Sequence, residues 1–288
     1  MGRPRPDSEA SLGADCVRRL NGQAPLPSMG RAKLGIMSQD DIPREAASAA
    51  GCSSLAEQRK RQIRDALADS DVFGALADDE LDGIIKRGRT TTYSSGAVVF
   101  RKGDPADDLM IVLDGRVKLS SASVNGKEVI FDFIGAGRCF GEGALLDGKT
   151  HRLEATAVKA SAVFALRRRD VLAYLEQHPE IAVRIIRVLC ERLSRAMEMF
   201  EDRNQHGLSS RTARALLRLA REYGSREGDV VRIGLKISQG EIAAIVGATR
   251  EKVNRQLCAW CRSGILAVDE GHLTIHRPAA LHSVAEER

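Results

Sequence analysis

The spacing of apolar positions changes several times along the chain, and each spacing predicts a different kind of element. Between residues 56 and 89 apolar side chains recur every three or four positions, which is typical of short amphipathic helices. From Thr90 to Leu166 they form short runs separated by glycines, which is typical of a small barrel or roll. The candidate strands are Val98–Phe100, Leu109–Leu113, Arg116–Ser121, Glu128–Ile134 and Ala162–Leu166.

A long helix is predicted next, beginning at Pro179 and spanning residues 179–206. Its apolar residues repeat in steps of four, three, four, three and four, which is a heptad spacing. This spacing indicates a helix that packs along its length against another helix and favours dimerisation; the alternative is packing within its own chain. The seam consists of Ala182, Ile186, Leu189, Leu193, Ala196 and Phe200.

Two capped helices joined by a glycine turn are predicted nearer the C-terminus. Ser238 and Glu241 match the S-x-x-E capping box, which fixes a helix start. Gly247 supplies the backbone freedom for a tight turn, and Thr249 can cap the next helix. This arrangement predicts a helix-turn-helix.

The second of these helices has one apolar and one charged face. Val253, Leu257 and Trp260 lie at i, i+4 and i+7 and therefore face inward. The opposite face carries both signs of charge at its N-terminal end. An acidic residue between arginines favours base reading over simple attraction to phosphate, because Arg binds guanine bidentately and Glu accepts from cytosine. The residues of this charged face are Arg250, Glu251, Asn254 and Arg255.

The segments that flank this pair of helices predict a loop and a wing. The polar stretch Gly224–Gly228 is expected to be a loop. Leu266–Val268 and Leu273–Ile275 flank Asp269-Glu270-Gly271 and are expected to form a hairpin, the wing. The whole pattern predicts an α+β chain with a β-roll, a long dimerisation helix and a C-terminal winged helix-turn-helix.

Composition narrows the class of partner. The chain has 288 residues, 43% of them hydrophobic and 29% charged, which is typical of a soluble globular protein with one large or two ordinary domains. The net charge of +5 favours a polyanionic partner. No apolar run is long enough to predict a membrane span. The six cysteines are scattered through a chain with no secretion signal, so reduced thiols and a cytoplasmic location are expected.

The N-terminal segment 1–55 is rich in Pro, Gly, Ala, Ser and charge, and it is predicted to be disordered. Met29 and Met37 lie inside it and leave the translation start open. An iron–sulfur cluster is not expected, because Cys16 and Cys52 stand far apart and do not supply four ligands. Cys258 and Cys261 have C-x-x-C spacing but lie late in the charged helix, so a redox role is not expected either.

Over residues 60–280 the chain resembles the CRP/FNR superfamily of bacterial transcription regulators. One group of motifs lies in the predicted roll: Gly103-Asp104 with Leu109 and Gly115, then Phe140-Gly141-Glu142 and Arg152. The other is the helix-turn-helix segment Ile245–Arg255. In the family, the residues matching Arg250, Glu251 and Arg255 contact bases, which implies a palindromic site with half-sites related to TGTGA or TTGAT. The resemblance also implies phosphate contacts by Ser238, Gln239, Thr249 and Lys252.

In relatives that bind cyclic nucleotides, the segment like Gly141-Glu142-Gly143-Ala144 cradles the cyclic phosphate. The resemblance implies that Glu142 accepts from the ribose and that Arg152 neutralises the phosphate. The chain departs from the family pattern in having Leu153 after that arginine, and Ala196 and Met197 where a Thr-Ser pair contacts adenine. Arg192 does match a family arginine.

Two interpretations of this segment stay open. Either the segment binds cyclic AMP or cyclic GMP with altered base contacts, or the Glu142–Arg152 pair has the structural role of bracing a loop. His151, beside this arginine, is expected to be exposed, and no particular histidine invites a haem.

The sequence therefore predicts a homodimeric regulator that binds double-stranded DNA and works with RNA polymerase, under the control of a signal at the roll. The expected domains are a disordered extension 1–55, a sensor 56–178, a dimerisation helix 179–206 and a DNA-binding domain 207–283. No nucleophile–base pair, P-loop or metal-ligand cluster predicts an enzyme. The alternative is a cyclic-nucleotide-binding regulatory subunit of an enzyme complex, which would leave the helix-turn-helix unexplained.

Overall fold

The computed structural model of the protein describes residues 49–123 and 126–287. Two helices come first, α1 (Ala49–Ala68) and α2 (Asp78–Arg87). Most of the predicted disordered segment 1–55 lies outside the described residues. The end of that segment was placed too late, because α1 already begins at Ala49. The sequence there is rich in alanine, which has a high helix propensity but produces no repeat of large apolar residues.

A β-roll follows these helices. Its strands form two antiparallel four-stranded sheets, with the orders β1-β8-β3-β6 and β2-β7-β4-β5. A short helix, α3 (Glu142–Asp147), lies between β6 and β7. The strands are β1 (Arg89–Tyr93), β2 (Val98–Phe100), β3 (Asp108–Asp114), β4 (Arg116–Ala122), β5 (Glu128–Gly135), β6 (Cys139–Phe140), β7 (Glu154–Ala157) and β8 (Ser161–Arg167).

The five predicted strands correspond to β2, β3, β4, β5 and β8, and the other strands of the roll were missed. β1 is rich in threonine and mostly exposed, so it shows no apolar run. β6 has only two residues. β7 turns only the small side chains of Ala155 and Ala157 inward. These strands are recognised through their pairing with neighbours and not through their own pattern.

Two apolar clusters hold the sensor region together. One lies between the two sheets of the roll and includes Phe100, Val117 and Phe140. The other joins the roll to the helices around it, through residues such as Phe73, Leu145 and Phe164. Burying a side chain of this size stabilises the fold by about 1.5–3 kcal/mol. The glycine turns of the roll are thus fixed on a packed body.

The long helix is α5 (Pro179–Gln205), and it follows α4 (Arg168–Gln177). The chain divides into two compact units within α5, between Ala196 and Met197. One face of α5 packs on its own unit through Ile181, Ile185 and Val188. Another face carries large apolar side chains that are exposed, namely Val183, Ile186, Leu193, Met197 and Phe200. We call these five residues the apolar stripe.

The apolar stripe shares only some of its residues with the predicted seam. Ile186, Leu193 and Phe200 belong to both sets, whereas Leu189 is half-buried in the packing of its own unit. Packing within its own chain, the alternative to dimerisation, occurs on one face of α5. The apolar stripe lies on another face of the same helix and is exposed.

The C-terminal unit continues from α5 with helices and a small sheet. Its strands pair in the antiparallel order β11-β12-β10-β9. The predicted loop Gly224–Gly228 is wrong, because residues 224–227 form an edge strand whose side chains are all exposed and therefore show no alternation. The elements are α6 (Leu208–Tyr223), β9 (Gly224–Glu227), β10 (Val230–Ile233), α7 (Gln239–Val246), α8 (Arg250–Arg262), β11 (Leu266–Asp269), β12 (His272–Ile275) and α9 (Pro278–Glu286). The predicted α+β fold class is confirmed.

Candidate nucleic-acid interface and sensor site

The first helix of the pair, α7, starts at the predicted capping box. Ser238 Oγ accepts a hydrogen bond from the Glu241 N–H at 3.2 Å, and Glu241 Oε2 accepts from the Ser238 N–H at 2.8 Å. Two of the backbone donors at the helix start are thereby satisfied. The buried side chains of Ile242, Ile245 and Val246 then fix α7 on the core of its unit.

Gly247 ends α7 in the left-handed conformation, with φ 69° and ψ 41°. A Cβ at this position would lie 2.9 Å from Nε of Arg203, the end of a flexible side chain that can move aside. The left-handed backbone conformation is therefore the reason why glycine is favoured here. This turn sets the direction in which α8 leaves α7.

The second helix, α8, presents its charged residues to solvent. Thr249 Oγ1 caps it by accepting from the Lys252 N–H at 3.4 Å. Val253, Leu257 and Trp260 are buried, as predicted. The opposite face is exposed at Arg250, Glu251, Lys252 and Arg255, and half-buried at Asn254, whose Oδ1 accepts from Cys258 Sγ at 3.4 Å.

The local environment keeps Glu251 ionised. Its own backbone N–H and the Thr249 hydroxyl donate to the carboxylate and lower its pKa below the ordinary value, and the positive charges of Arg250 and Arg255 act in the same direction. An ionised carboxylate only accepts hydrogen bonds. At this position Glu251 can therefore accept from a cytosine amino group while the arginines donate to guanine.

The residues expected to contact phosphate differ in their availability. Lys252 is exposed, whereas the hydroxyls of Ser238 and Thr249 are already used as helix caps. Gln239 does not fit its expected role, because its side chain is only 6% exposed. It begins α7 on the side that faces the core, close to the buried Ile237. The direction of the chain at this helix start therefore hides Gln239 from a duplex.

The predicted wing is present. β11 pairs with β12 in antiparallel register, from Leu266 opposite Ile275 to Asp269 opposite His272. Glu270 and Gly271 form the turn with φ of 47° and 87°, the positive values that a two-residue hairpin turn requires. The helix-turn-helix and its wing are therefore parts of one compact unit.

In the sensor unit, Gly141 precedes α3 in the left-handed conformation, with φ 85°. A Cβ there would lie 3.1 Å from the Asp108 carbonyl oxygen, so glycine also provides the space for this close approach. The N–H groups of Glu142, Gly143 and Ala144 open the helix and have no acceptor within it. A short turn with such donors is suited to binding an anion.

Glu142 is the buried acid of this site, with only 2% of its surface exposed. Its Oε1 accepts from Arg192 Nη1, and Arg192 Nη2 also donates to the Cys139 carbonyl oxygen. Within residues 49–123 and 126–287, Glu142 Oε2 and Arg192 Nε are buried and have no hydrogen-bond partner. The helix α5 thus supplies the cation that holds Glu142 inside the roll.

The predicted Glu142–Arg152 pair is wrong. The Arg152 side chain is 71% exposed and its Nη2 donates to Asp147 Oδ2 at 2.8 Å. The sequence put Arg152 with Glu142 because they are close along the chain, but the fold brings Arg192 to the acid from far away. The interpretation of a loop braced by Glu142 and Arg152 therefore falls.

Arg152 is flanked by His151 and Leu153, and both of these residues are at least partly buried. His151 is 4% exposed and stacks on Phe100 with 3.5 Å between ring centroids, so the expectation that it is exposed was wrong. Burial lowers the pKa of His151, which favours the neutral ring. Leu153 is half-buried and packs against the cluster between the sheets, which suits an apolar side chain at this position.

A second acid–base pair was missed by the sequence reasoning. Arg195, one turn after Arg192 on α5, contacts the nearly buried Asp132 of β5. The charge of Asp132 also acts on Arg192, so the two pairs are neighbours. A charged residue inside an apolar strand, together with two arginines three positions apart on a helix, is the signal that could have found it. Ala196 and Met197, in contrast, are exposed.

Other chemistry finds no support in the described part of the chain. Among those residues no group of three or more His, Cys, Asp and Glu side chains could hold a metal ion. Nor is any of the helices described there both long and apolar enough to cross a membrane.

A β-roll sensor followed by a winged helix-turn-helix defines the class of ligand-controlled DNA-binding regulators. Comparison with known proteins agrees: residues 90–178 match the cyclic nucleotide-binding domain and residues 210–284 the Crp-like helix-turn-helix domain. The chain is 30% identical over 220 residues to the cyclic AMP receptor protein of Thermus thermophilus, covering 75% of this chain and 97% of that protein. The chain therefore belongs to the CRP/FNR family of transcription regulators.

Two other similarities support this assignment. A CRP-like cAMP-activated global transcriptional regulator of Mycobacterium tuberculosis is 29% identical over 203 residues, which is 70% of this chain and 91% of the relative. The crystal structure of a CRP-family transcriptional regulator from Thermus thermophilus is 25% identical and superposes with a TM-score of 0.58, covering 68% of this chain and 97% of that one. The alternative of an enzyme's regulatory subunit is not favoured by these matches.

Proposed function

We propose that the protein acts as a homodimer that reads a palindromic DNA site with the first turns of α8. The observation that carries the proposal is the exposed face of that helix, where Arg250, Arg255 and the ionised Glu251 stand together. This set of donors and an acceptor suits the edges of G·C pairs in the major groove. Lys252 is proposed to contact phosphate.

The apolar stripe on α5 supports the homodimer. Five large apolar side chains that are 48–71% exposed form one face of the helix, at the spacing of a coiled-coil seam. A second copy of the same helix would bury this face, and its two-fold symmetry matches a palindrome. Two recognition helices would then enter the major groove one helical turn of DNA apart.

We propose a cyclic nucleotide, cyclic AMP or cyclic GMP, as the signal at the turn formed by Gly141, Glu142, Gly143 and Ala144. Two of the relatives are described as a cyclic AMP receptor and as cAMP-activated. Glu142 Oε2 is a buried acceptor that a ribose hydroxyl could satisfy. Arg152 would leave Asp147 to neutralise the phosphate.

Isothermal titration with cyclic AMP and cyclic GMP tests the signal. Saturable heat with wild-type protein that disappears in Arg152→Ala supports the assignment. No heat from either nucleotide at high micromolar concentration contradicts it and leaves the DNA-binding proposal untouched.

We propose a sensor that ends at residue 178, a dimerisation helix 179–206 and a DNA-binding domain 207–283. The proposed sensor includes the matched residues 90–178, and the matched residues 210–284 extend one residue beyond the proposed DNA-binding domain. RNA polymerase is the proposed protein partner, since a regulator of this family acts on transcription. A cytoplasmic location is part of the same proposal. We assign no catalytic activity to any residue.

Selection from random duplexes tests the DNA-binding proposal. Wild-type protein should enrich a palindrome, and fluorescence anisotropy should then give its affinity. Arg250→Ala should lose about 1–3 kcal/mol per half-site on the selected palindrome and little on unrelated DNA. Lys252→Ala is the matched control, which should weaken binding to all sequences alike and reduce the salt dependence. Equal losses on selected and unrelated DNA for both variants would contradict base reading by Arg250.

A further inference from the structure

We propose a second ligand site on the sensor unit, for a small molecule that carries two or more phosphate groups. Two adjoining cavities of about 650 and 430 Å³ lie where β8 passes into α4 and where β1 begins. Arginines line both cavities, and Arg89, Arg167 and Arg169 are common to the two. We call this region the arginine cleft; its basic residues are Arg87, Arg89, Arg167, Arg168 and Arg169.

The acids of the arginine cleft neutralise only part of its charge. Arg89 makes a two-pronged ion pair with Asp108, with Nη1 to Oδ1 at 2.8 Å. Arg168 Nε donates to the Leu145 carbonyl oxygen at 2.7 Å. Asp107 also lines the cleft, and its carbonyl oxygen accepts from the Arg168 N–H. Arg89 and Arg168 are therefore structural members of the cleft.

The remaining arginines keep their charge available. Arg167 and Arg169 are exposed, and Arg169 Nε lies 3.6 Å from Asp170 Oδ2. Among the described residues Arg167 has no ion-pair partner, and Arg87 lies over the ring of Tyr174 at 5.5 Å. These positive charges line the same cleft and repel one another, so the cleft gains most from a ligand with several negative charges.

The start of α4 increases this positive potential. A helix N-terminus carries a partial positive charge and ordinarily has Asp or Glu in its first turn. Here Arg167 is the N-cap residue and Arg168 and Arg169 follow, with Asp170 as the acid of that turn. Placing guanidinium groups at the positive end of a helix is unfavourable without a compensating anion.

The size of the arginine cleft points to a small molecule. The volume of each of its two cavities falls within the usual range for ligand pockets, about 300–1,000 Å³. Guanidinium groups bind phosphate oxygens bidentately, and Leu172 adds an apolar surface beside them. Because Arg168 holds the carbonyl of Leu145, a ligand here would also act on α3, the helix of the proposed cyclic-nucleotide turn.

Isothermal titration of the full chain with inorganic tripolyphosphate tests this site. Arg167→Gln/Arg169→Gln should raise the Kd at least about tenfold, because two charge-assisted contacts are lost. Arg101→Gln, an exposed arginine elsewhere in the same unit, is the matched control and should leave the Kd unchanged. Arg250→Gln/Arg255→Gln removes anion binding by the DNA-reading face, and the cleft should keep its affinity in this variant.

Each other outcome overturns the proposal. If wild-type protein does not bind tripolyphosphate, the site does not exist. The same conclusion follows if wild-type protein and the Arg167→Gln/Arg169→Gln variant bind it with equal affinity. Wild-type protein that binds a poly-glutamate peptide but not tripolyphosphate has instead a docking surface for an acidic protein. None of these results bears on DNA binding or on the cyclic nucleotide.

Discussion

The two candidate sites begin in the same way and use their charges differently. Gly247 ends α7 in the turn before α8, Gly141 immediately precedes α3, and both glycines have a positive φ. After Gly247 the charged side chains stay in solvent, whereas after Gly141 the acid Glu142 is buried against Arg192. Exposed charges need no compensation within the fold and are available to a partner. The buried pair leaves Glu142 Oε2 and Arg192 Nε without a hydrogen-bond partner among the described residues, so a ligand that reaches this acid can add a contact to the pair.

The largest effect is expected for the apolar stripe on α5, because the proposed DNA binding by the exposed face of α8 depends on a second copy of the chain. Leu193→Glu places a carboxylate in the apolar stripe and should convert the dimer to a monomer. Its Kd for the selected palindrome should rise about a hundredfold or more, because the two half-sites are no longer bound together. Sedimentation velocity and anisotropy measure the two effects.

Ser194→Glu is the control for Leu193→Glu, since it adds the same charge at an exposed neighbour outside the apolar stripe. It should leave both the dimer and the affinity unchanged. A dimer that survives Leu193→Glu would show that the second copy binds elsewhere.

The sensor site, where the charges are buried, is tested by removing the acid Glu142. Glu142→Ala leaves Arg192 without its ion-pair partner inside the roll and should lower the free energy of unfolding by about 3 kcal/mol. Arg152→Ala removes only an exposed pair with Asp147 and should change it by less than about 1 kcal/mol. Urea unfolding followed by circular dichroism measures both. Equal effects would mean that Arg152, and not Arg192, supports Glu142.

The turn before α8 tests whether the positive φ alone makes glycine necessary there. Gly247→Ala should destabilise the C-terminal unit by about 1–2 kcal/mol through its positive φ, and the contact with Arg203 should add little, because the end of that side chain can move aside. Gly264 has nearly the same φ, 68°, with open space around it, so Gly264→Ala should show a similar loss. A clearly larger loss for Gly247→Ala in thermal unfolding would mean that Arg203 cannot move aside.

The smallest effect concerns the buried ring beside the sensor turn. Burial lowers the pKa of His151, so the unfolded chain takes up a proton at a higher pH than the folded protein. The stability from the neutral ring is therefore present above the ordinary pKa of 6.5 and is lost as the pH falls through and below it. His151→Phe should keep the stacking on Phe100 and reduce the loss of stability between about pH 7.5 and 5.5.

His282→Phe, at an exposed position, is the control for this pH dependence and should not change it. Thermal unfolding across the pH range is the measurement. An unchanged slope for His151→Phe would mean that the folded protein accepts the proton as readily as the unfolded chain.

The sequence predicted most accurately those structural features that depend on residues close to one another along the chain. The capping box of Ser238 and Glu241, the turn at Gly247 and the wing hairpin all involve residues within a few positions of one another. The charged face of α8 follows from the period of a single helix. In the roll, strands with their own apolar runs were found, and β1, β6 and β7 were missed because their pairing partners define them. The edge strand β9 of the C-terminal sheet was missed for the same reason.

The sequence by itself thus determined the class of fold and the charged face of α8, because local hydrogen bonds and helix periodicity encode both. Only the tertiary structure decided which cation meets Glu142, since Arg192 and Arg152 lie at such different distances along the chain from the same acid. It also decided that His151 and Gln239 are buried and that arginines from β1, β8 and α4 share one cleft. Such proximity depends on how distant segments pack, and no local pattern records it.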